Sequence, residues 1–183
     1  MSITAESRIE LPDEHRGLIA AMVDAVEALA ALEHDPKHLR KLVNVAIWNV
    51  TEYKMSPRHK YGGLRWRTPS AHERAHPPWT GLRHEHVIGR DWLMRLLRAT
   101  PNAAEEVLWN LPVALVTTEE HALLDNDERW DSDQWGWGRY LRANLSILDA
   151  TSEQPVDLRL MQQEARECYR AMIDAARQLG ADL

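Results

Sequence analysis

Two stretches decide the fold: residues 81–93 read GLRHEHVIGRDWL, and residues 110–124 read NLPVALVTTEEHALL. In the second, PVALV is uncharged and rich in β-branched side chains, the composition of a buried strand. Thr117 and Glu120 follow at capping-box spacing, which predicts a helix from about Thr118 through His121, Leu123 and Leu124. In the first, LRHEHVI reads as a strand that carries imidazoles and a carboxylate where apolar residues would alternate. Strand periodicity puts His84 and His86 on one side and Glu85 on the other. The order is therefore strand, strand, helix, with His86, Asn110 and His121 in sequence.

Outward from this centre the pattern is helical. Ile19, Met22, Val23, Val26, Leu29 and Ala30 recur at three and four residues, which predicts a helix over about 14–33. After a break at HDPKHLR, Asp35 can cap a helix whose first residue is Pro36. Its apolar stripe is Leu39, Leu42, Val43, Ala46, Ile47 and Val50, and Ser56-Pro57 should end it. The two helices are expected to pair as a hairpin. Residues 54–80 are rich in Pro, Gly and charge and read as loops, with a short strand near Leu64–Arg67. Asp91 can cap a short helix bearing Trp92, Leu93, Leu96 and Leu97. Thr100-Pro101 opens another, through Val107 and Leu108. NDERWDSDQWGWGRY reads as a polar loop whose Trp130, Trp135 and Trp137 form either a binding surface or a lid on the terminal helix. LSILD reads as a last strand, and residues 157–179 as a terminal helix stopped by Gly180.

The chain's 183 residues suit one domain with a substantial core. A single cysteine, Cys168, excludes a disulfide framework and Cys-rich zinc sites. No apolar run approaches the roughly 20 residues of a membrane-spanning helix, and the acidic N-terminus lacks a signal-peptide core. A cytoplasmic protein is expected. The net charge of −6 hides an asymmetry. Residues 54–98 carry 10 Lys/Arg against 3 Asp/Glu, whereas residues 99–183 carry 7 against 16. Five of the nine histidines share the basic centre, which either focuses positive potential or is a solvated loop paired with the acidic flanks.

EHVI, NLPVALV and TTEEHALL, in that order, resemble the HNH endonucleases, also called ββα-metal or His-Me finger nucleases, over about residues 82–125. The resemblance implies a small ββα-metal motif at the centre, and with the helical patterns at both ends the expected fold is α+β and predominantly helical, the motif lying between an N-terminal helical hairpin and a C-terminal helix. One domain of residues 1–183 then divides into a hairpin at 14–55, a basic loop region at 56–81, the core at 82–125, and a Trp-rich loop and helix at 126–183. It implies hydrolysis of phosphodiester bonds, of DNA more than RNA. His86 is carried over as general base, and Glu85 and His121 as ligands of one divalent cation. Mg²⁺ or Mn²⁺ comes first for that cation, with Zn²⁺ or Ni²⁺ behind them. Asn110 would hold the loop and orient the base, and His84 would be an accessory ligand or a phosphate contact. Glu85 stands where the family usually has Asp.

Under this reading Lys54, Arg58, Lys60, Arg65, Arg67, Arg74, Arg83 and Arg90 supply phosphate contacts, and Trp66 and Trp79 can stack on bases. The alternative for such rings is a core position under an arginine stem, as expected for Trp92 and Trp109 from their apolar periods. A second function class is a non-catalytic nucleic-acid- or protein-binding module on the same scaffold, with the terminal helices making a homodimer or docking a larger partner. A third reading is a zinc peptidase, because HERAH at His72–His76 fits HExxH, which needs both histidines on one helix face.

Overall fold

The periodic apolar stripes at the N-terminal end do form paired helices. The computed structural model describes residues 13–31, 37–55, 61–124 and 135–180, and its architecture is α+β and mostly helical. Helix α1 (Asp13–Ala30) packs on α2 (Lys37–Met55). Ile19, Val23, Val26 and Ala30 of α1 meet the same core as Val43, Ile47 and Val50 of α2, all buried. Burial of each such aliphatic side chain contributes roughly 1.5–3 kcal/mol over leaving it exposed. Helix α1 stops at Ala30, short of residue 33. The cap and first-turn assignments to Asp35 and Pro36, and the stop at Ser56-Pro57, lie outside the described residues.

A five-stranded sheet follows in the order β2-β3-β1-β4-β5. Its strands are β1 (Trp66–Arg67), β2 (Leu82–His86), β3 (Val113–Thr117), β4 (Leu148–Asp149) and β5 (Gln154–Pro155). β2 runs antiparallel to β3 with Glu85 opposite Ala114 and His86 opposite Val113. β3 pairs in parallel with β1. Among the described residues β2 is thus an edge strand. The two sheet faces are separated by strand alternation. Ala114 and Val116 join the main core, while Leu82, Val113 and Leu115 join a smaller one with Leu64 and Ala71.

The connecting elements differ from expectation in several places. Helix α3 (Pro69–Glu73) interrupts the region expected to be loop, capped by Thr68 with Pro69 in its first turn. Helix α4 (Arg90–Ala99) has Gly89, not Asp91, at its N-cap. Asp91 lies one place into the helix, where its carboxylate faces the positive end of the dipole. A 3₁₀ turn at Pro101–Ala103 leads into α5 (Ala104–Asn110). Helix α6 (Thr118–His121) has both capping-box bonds but is one turn long, so Leu123 and Leu124 lie beyond it. LSILD supplies β4, but β5 follows as a further strand.

The Trp-rich segment departs furthest. Trp130 lies outside the described residues. Trp135 and Trp137 are fully buried and belong to the main core rather than to a surface or lid. Trp135 meets Trp92 edge-on at 5.0 Å and Tyr169 at 5.9 Å. The terminal helix α8 (Leu158–Gln178), capped by Asp157, supplies Tyr169 and Gln162. Gln162 accepts from Gly138 N at 3.1 Å and donates to the Trp135 carbonyl at 2.6 Å. Gly136 has φ +63°, and a Cβ there would lie 2.9 Å from Gln162 Oε1, so glycine is favoured there. These bonds fix the start of α7 (Gly138–Arg142), which carries a buried arginine back toward β2. No helix among the described residues is long and apolar enough to cross a membrane.

Candidate functional site

The end of β2 and the single turn of α6 are tied together by the backbone and the capping box. Thr118 N donates to the Gly81 carbonyl at 2.8 Å, joining the start of α6 to the residue before β2. Glu120 N donates to Thr117 Oγ1 at 3.1 Å, and Thr117 N donates to Glu120 Oε2 at 2.9 Å. Thr68 Oγ1 gives that carboxylate oxygen a second bond, at 2.6 Å. With the turn so held, His121 Nε2 sits 3.0 Å from Glu85 Oε2. The His121 side chain is half exposed, whereas that of Glu85 is 11% exposed. The pair therefore lies at the mouth of a depression with its carboxylate inward.

The other oxygen of Glu85 is taken by Arg139. Its Nη2 donates to Glu85 Oε1 at 2.8 Å, and its Nη1 donates to the His86 and Val87 carbonyls at 3.3 Å each. The guanidinium is 3% exposed. It neutralises a buried carboxylate and braces the end of the edge strand, a charge-assisted arrangement stronger than a neutral hydrogen bond.

Across the strand, His84 and His86 face α2, as alternation requires. Their rings stack with centroids 5.1 Å apart. Trp48 covers both, at 4.8 Å from His84 and 5.1 Å from His86. His86 Nε2 lies 2.9 Å from Thr51 Oγ1. A cavity of about 310 Å³ joins the two sides around the strand edge. His84, Glu85, His86, His121 and Arg139 line it, with Asn44 and Trp48 from α2 and with Arg83, Arg90, Asp91, Gly89 and Leu124. Three arginines against two carboxylates give the depression a positive bias, suited to an anionic ligand.

Four of the five residues expected as catalytic or ligating groups thus line one cavity, and Asn110 does not. It is the last residue of α5, where its Nδ2 donates to the Glu106 carbonyl at 2.9 Å. That bond closes a helix turn instead of holding the loop after β2. Val87 N, the first backbone donor past the strand, goes to Pro112 O at 3.1 Å.

The expected phosphate contacts divide. Lys54, Arg58 and Lys60 fall outside the described side chains. Arg65 bonds Asp149 Oδ2 from Nη2 at 2.6 Å and lies over the Trp66 ring at 4.3 Å. Trp66 itself is buried, so this is a core ring under an arginine stem and not a base-stacking platform. Arg67 donates to the Leu64 and Gly62 carbonyls at 2.8 Å each. Arg74 reaches Glu119 at 3.5 Å. Arg83 and Arg90 are exposed and line the cavity. Trp79 is half-buried beside Tyr61.

HERAH does not form a peptidase site. Helix α3 ends at Glu73, so His72 and His76 do not share a helix face. The exposed His76 turns its Nδ1 to the Pro77 carbonyl at 3.0 Å.

Arg139 and Thr51 went unnoticed in the sequence. The only signal for Arg139 is its place after WGWG, where buried tryptophans would bring it inward. Thr51 shares a helical face with Asn44 and Trp48, seven and three residues away. No family model matches the chain, and no curated protein or solved structure matches it.

Proposed function

We propose that the protein is a metal-dependent endonuclease of the His-Me finger type, acting on DNA more than on RNA. The observation that carries this reading is that Glu85, His86 and His121 line one positively biased cavity, in the order strand, strand, helix. The donor pair suits the implied cation. Glu85 Oε2 and His121 Nε2 lie 3.0 Å apart, so a carboxylate and an imidazole, donor types a divalent cation can take, meet at one point. Among the described residues no third His, Cys, Asp or Glu completes the set.

Glu85 and His121 would hold the ion, which when bound supplies Lewis-acid neutralisation of the phosphate. Arg139 aims Glu85 by occupying its other oxygen. His86, with a neutral ring, takes the proton from the attacking water. Arg83 and Arg90 at the rim attract and place the phosphate backbone. His84 stacks on His86, which fits an accessory role in positioning the base better than ligation. The Arg139 bond to Glu85 also supports a second reading, a non-catalytic nucleic-acid-binding module, since it draws the carboxylate partly away from a cation.

The test is cleavage of plasmid and of RNA with Mg²⁺, Mn²⁺ or EDTA, beside His86→Ala. Metal-dependent cleavage that His86→Ala reduces about 10²–10⁴-fold is expected. Salt-sensitive binding with no cleavage under any metal would leave the binding module. Glu85→Ala and His121→Ala should weaken metal binding itself, while His86→Ala should not. Equal metal titrations for all three would remove the ligand role.

A further inference from the structure

Thr51 is fully buried in α2, and its hydroxyl has three polar neighbours. Two are the carbonyls of Ile47 and Trp48, at 3.1 and 2.9 Å. The third is His86 Nε2, at 2.9 Å. The carbonyls can only accept. A hydroxyl has one proton and two acceptor lone pairs, so that proton goes to the helix backbone. The hydroxyl oxygen then faces His86 Nε2 with a lone pair, and the only favourable partner is an N–H. The ring cannot turn over without cost. A half-turn would set a carbon against Thr51 Oγ1, and the stack with His84 and the contact with Trp48 confine its plane.

We infer that Thr51 is a positioning residue that fixes the His86 ring and its Nε2–H tautomer, so that Nδ1 is the ring nitrogen without a proton. The inference deepens the nuclease reading and rests on it for the base role alone. The device lies in the N-terminal hairpin, about 35 residues before the strand end it serves. It makes α2 a part of the site and not merely a support. A second-sphere partner that sets tautomer and ring orientation is worth about 10–100-fold in activity.

The experiment combines nitrogen NMR of the neutral His86 ring with kinetics on wild type, Thr51→Val and Thr51→Ser. Valine has nearly the same shape without the hydroxyl, and serine keeps it. In the wild type the His86 signals should show a protonated Nε2 and an unprotonated Nδ1. Thr51→Val should give a mixture of tautomers and a kcat lower by about 10–100-fold with KM unchanged. Thr51→Ser should restore both. A wild-type ring protonated on Nδ1 overturns the inference, whatever the activity. So does a Thr51→Val protein with full kcat, or a Thr51→Ser protein as impaired as Thr51→Val. Should the Thr51→Val protein not fold, the wild-type spectrum and Thr51→Ser still decide the tautomer. A wild type that cleaves nothing while showing the Nε2–H tautomer removes the nuclease reading and the base role, and leaves the hydrogen bond standing.

Discussion

Replacing Arg139 by Met should be among the most damaging single changes in the chain. The guanidinium is 3% exposed and sits 2.8 Å from Glu85 Oε1. At that distance and an effective dielectric constant of about 20, the attraction is about 6 kcal/mol before desolvation is subtracted. Methionine fills most of the volume but leaves Glu85 as a buried carboxylate without this counter-charge. Removing one partner of such a pair costs about 3–5 kcal/mol. The His86 and Val87 carbonyls also lose a donor. A chain of this size shifts its melting temperature by about 2–4 °C per kcal/mol, so Tm should fall by about 6–20 °C. Urea unfolding of wild type, Arg139→Met, Glu85→Gln and the double variant measures the term as a thermodynamic cycle. The double variant should be more stable than the two single losses added together predict, by about 1 kcal/mol or more. Arg139→Met within 1 kcal/mol of wild type, or strict additivity, would refute the claim that the pair is buried and coupled.

Three further outcomes are expected. Gly136→Ala should destabilise by about 1–3 kcal/mol, because φ is +63° and the new Cβ meets Gln162 Oε1 at 2.9 Å; thermal unfolding reads the stability. Hydrogen bonds from Arg65, and then from the Thr151 backbone, hold the Asp149 carboxyl below the usual carboxylate range. A depressed folded value means that the stabilisation is complete above the ordinary aspartate value of about 3.9 and is lost as pH falls through the lower, folded value. The stability gap between wild type and Asp149→Asn should therefore be flat from pH 7 to pH 5 and shrink in stronger acid, and a gap that widens on acidification contradicts the pairing. Substituting Arg83 and Arg90 together by alanine should flatten the dependence of log affinity on log salt by roughly 2 units. Arg65→Ala and Arg67→Ala should leave that slope unchanged, since both guanidiniums are engaged within the chain.

The parts of the site legible in the sequence are those encoded within a few residues. The capping box needs only Thr117 and Glu120, and both of its bonds are present. Strand alternation suffices to separate Glu85 from His84 and His86. Helical periodicity suffices for the hairpin and for α8. What escaped is encoded at long range. Arg139 lies 54 residues from Glu85, inside a stretch whose polar composition reads as surface, and only the burial of Trp135 and Trp137 turns it inward. Thr51 looks like any β-branched residue in a helix until His86 is placed beside it. Asn110 misled because a residue type in the expected order says nothing of its partner, and a side chain at a helix end bonds most readily to its own last turn. Arg65 and Arg67 misled because a positive charge in a basic segment does not reveal whether an acidic partner arrives from Asp149.

The reach of those contacts also fixes when the site can exist. Helix α2, strand β2, the α6 turn and Arg139 come from four separated places in the chain, and the last emerges well after the others. Closing such long loops is entropically costly and slow. A nascent or truncated chain ending before Arg139 would hold every histidine of the cluster, yet it would lack the guanidinium that neutralises Glu85 and braces the strand end. The cluster is thereby completed only with the fold, so that synthesis of its histidines and assembly of the whole cluster are separated in time.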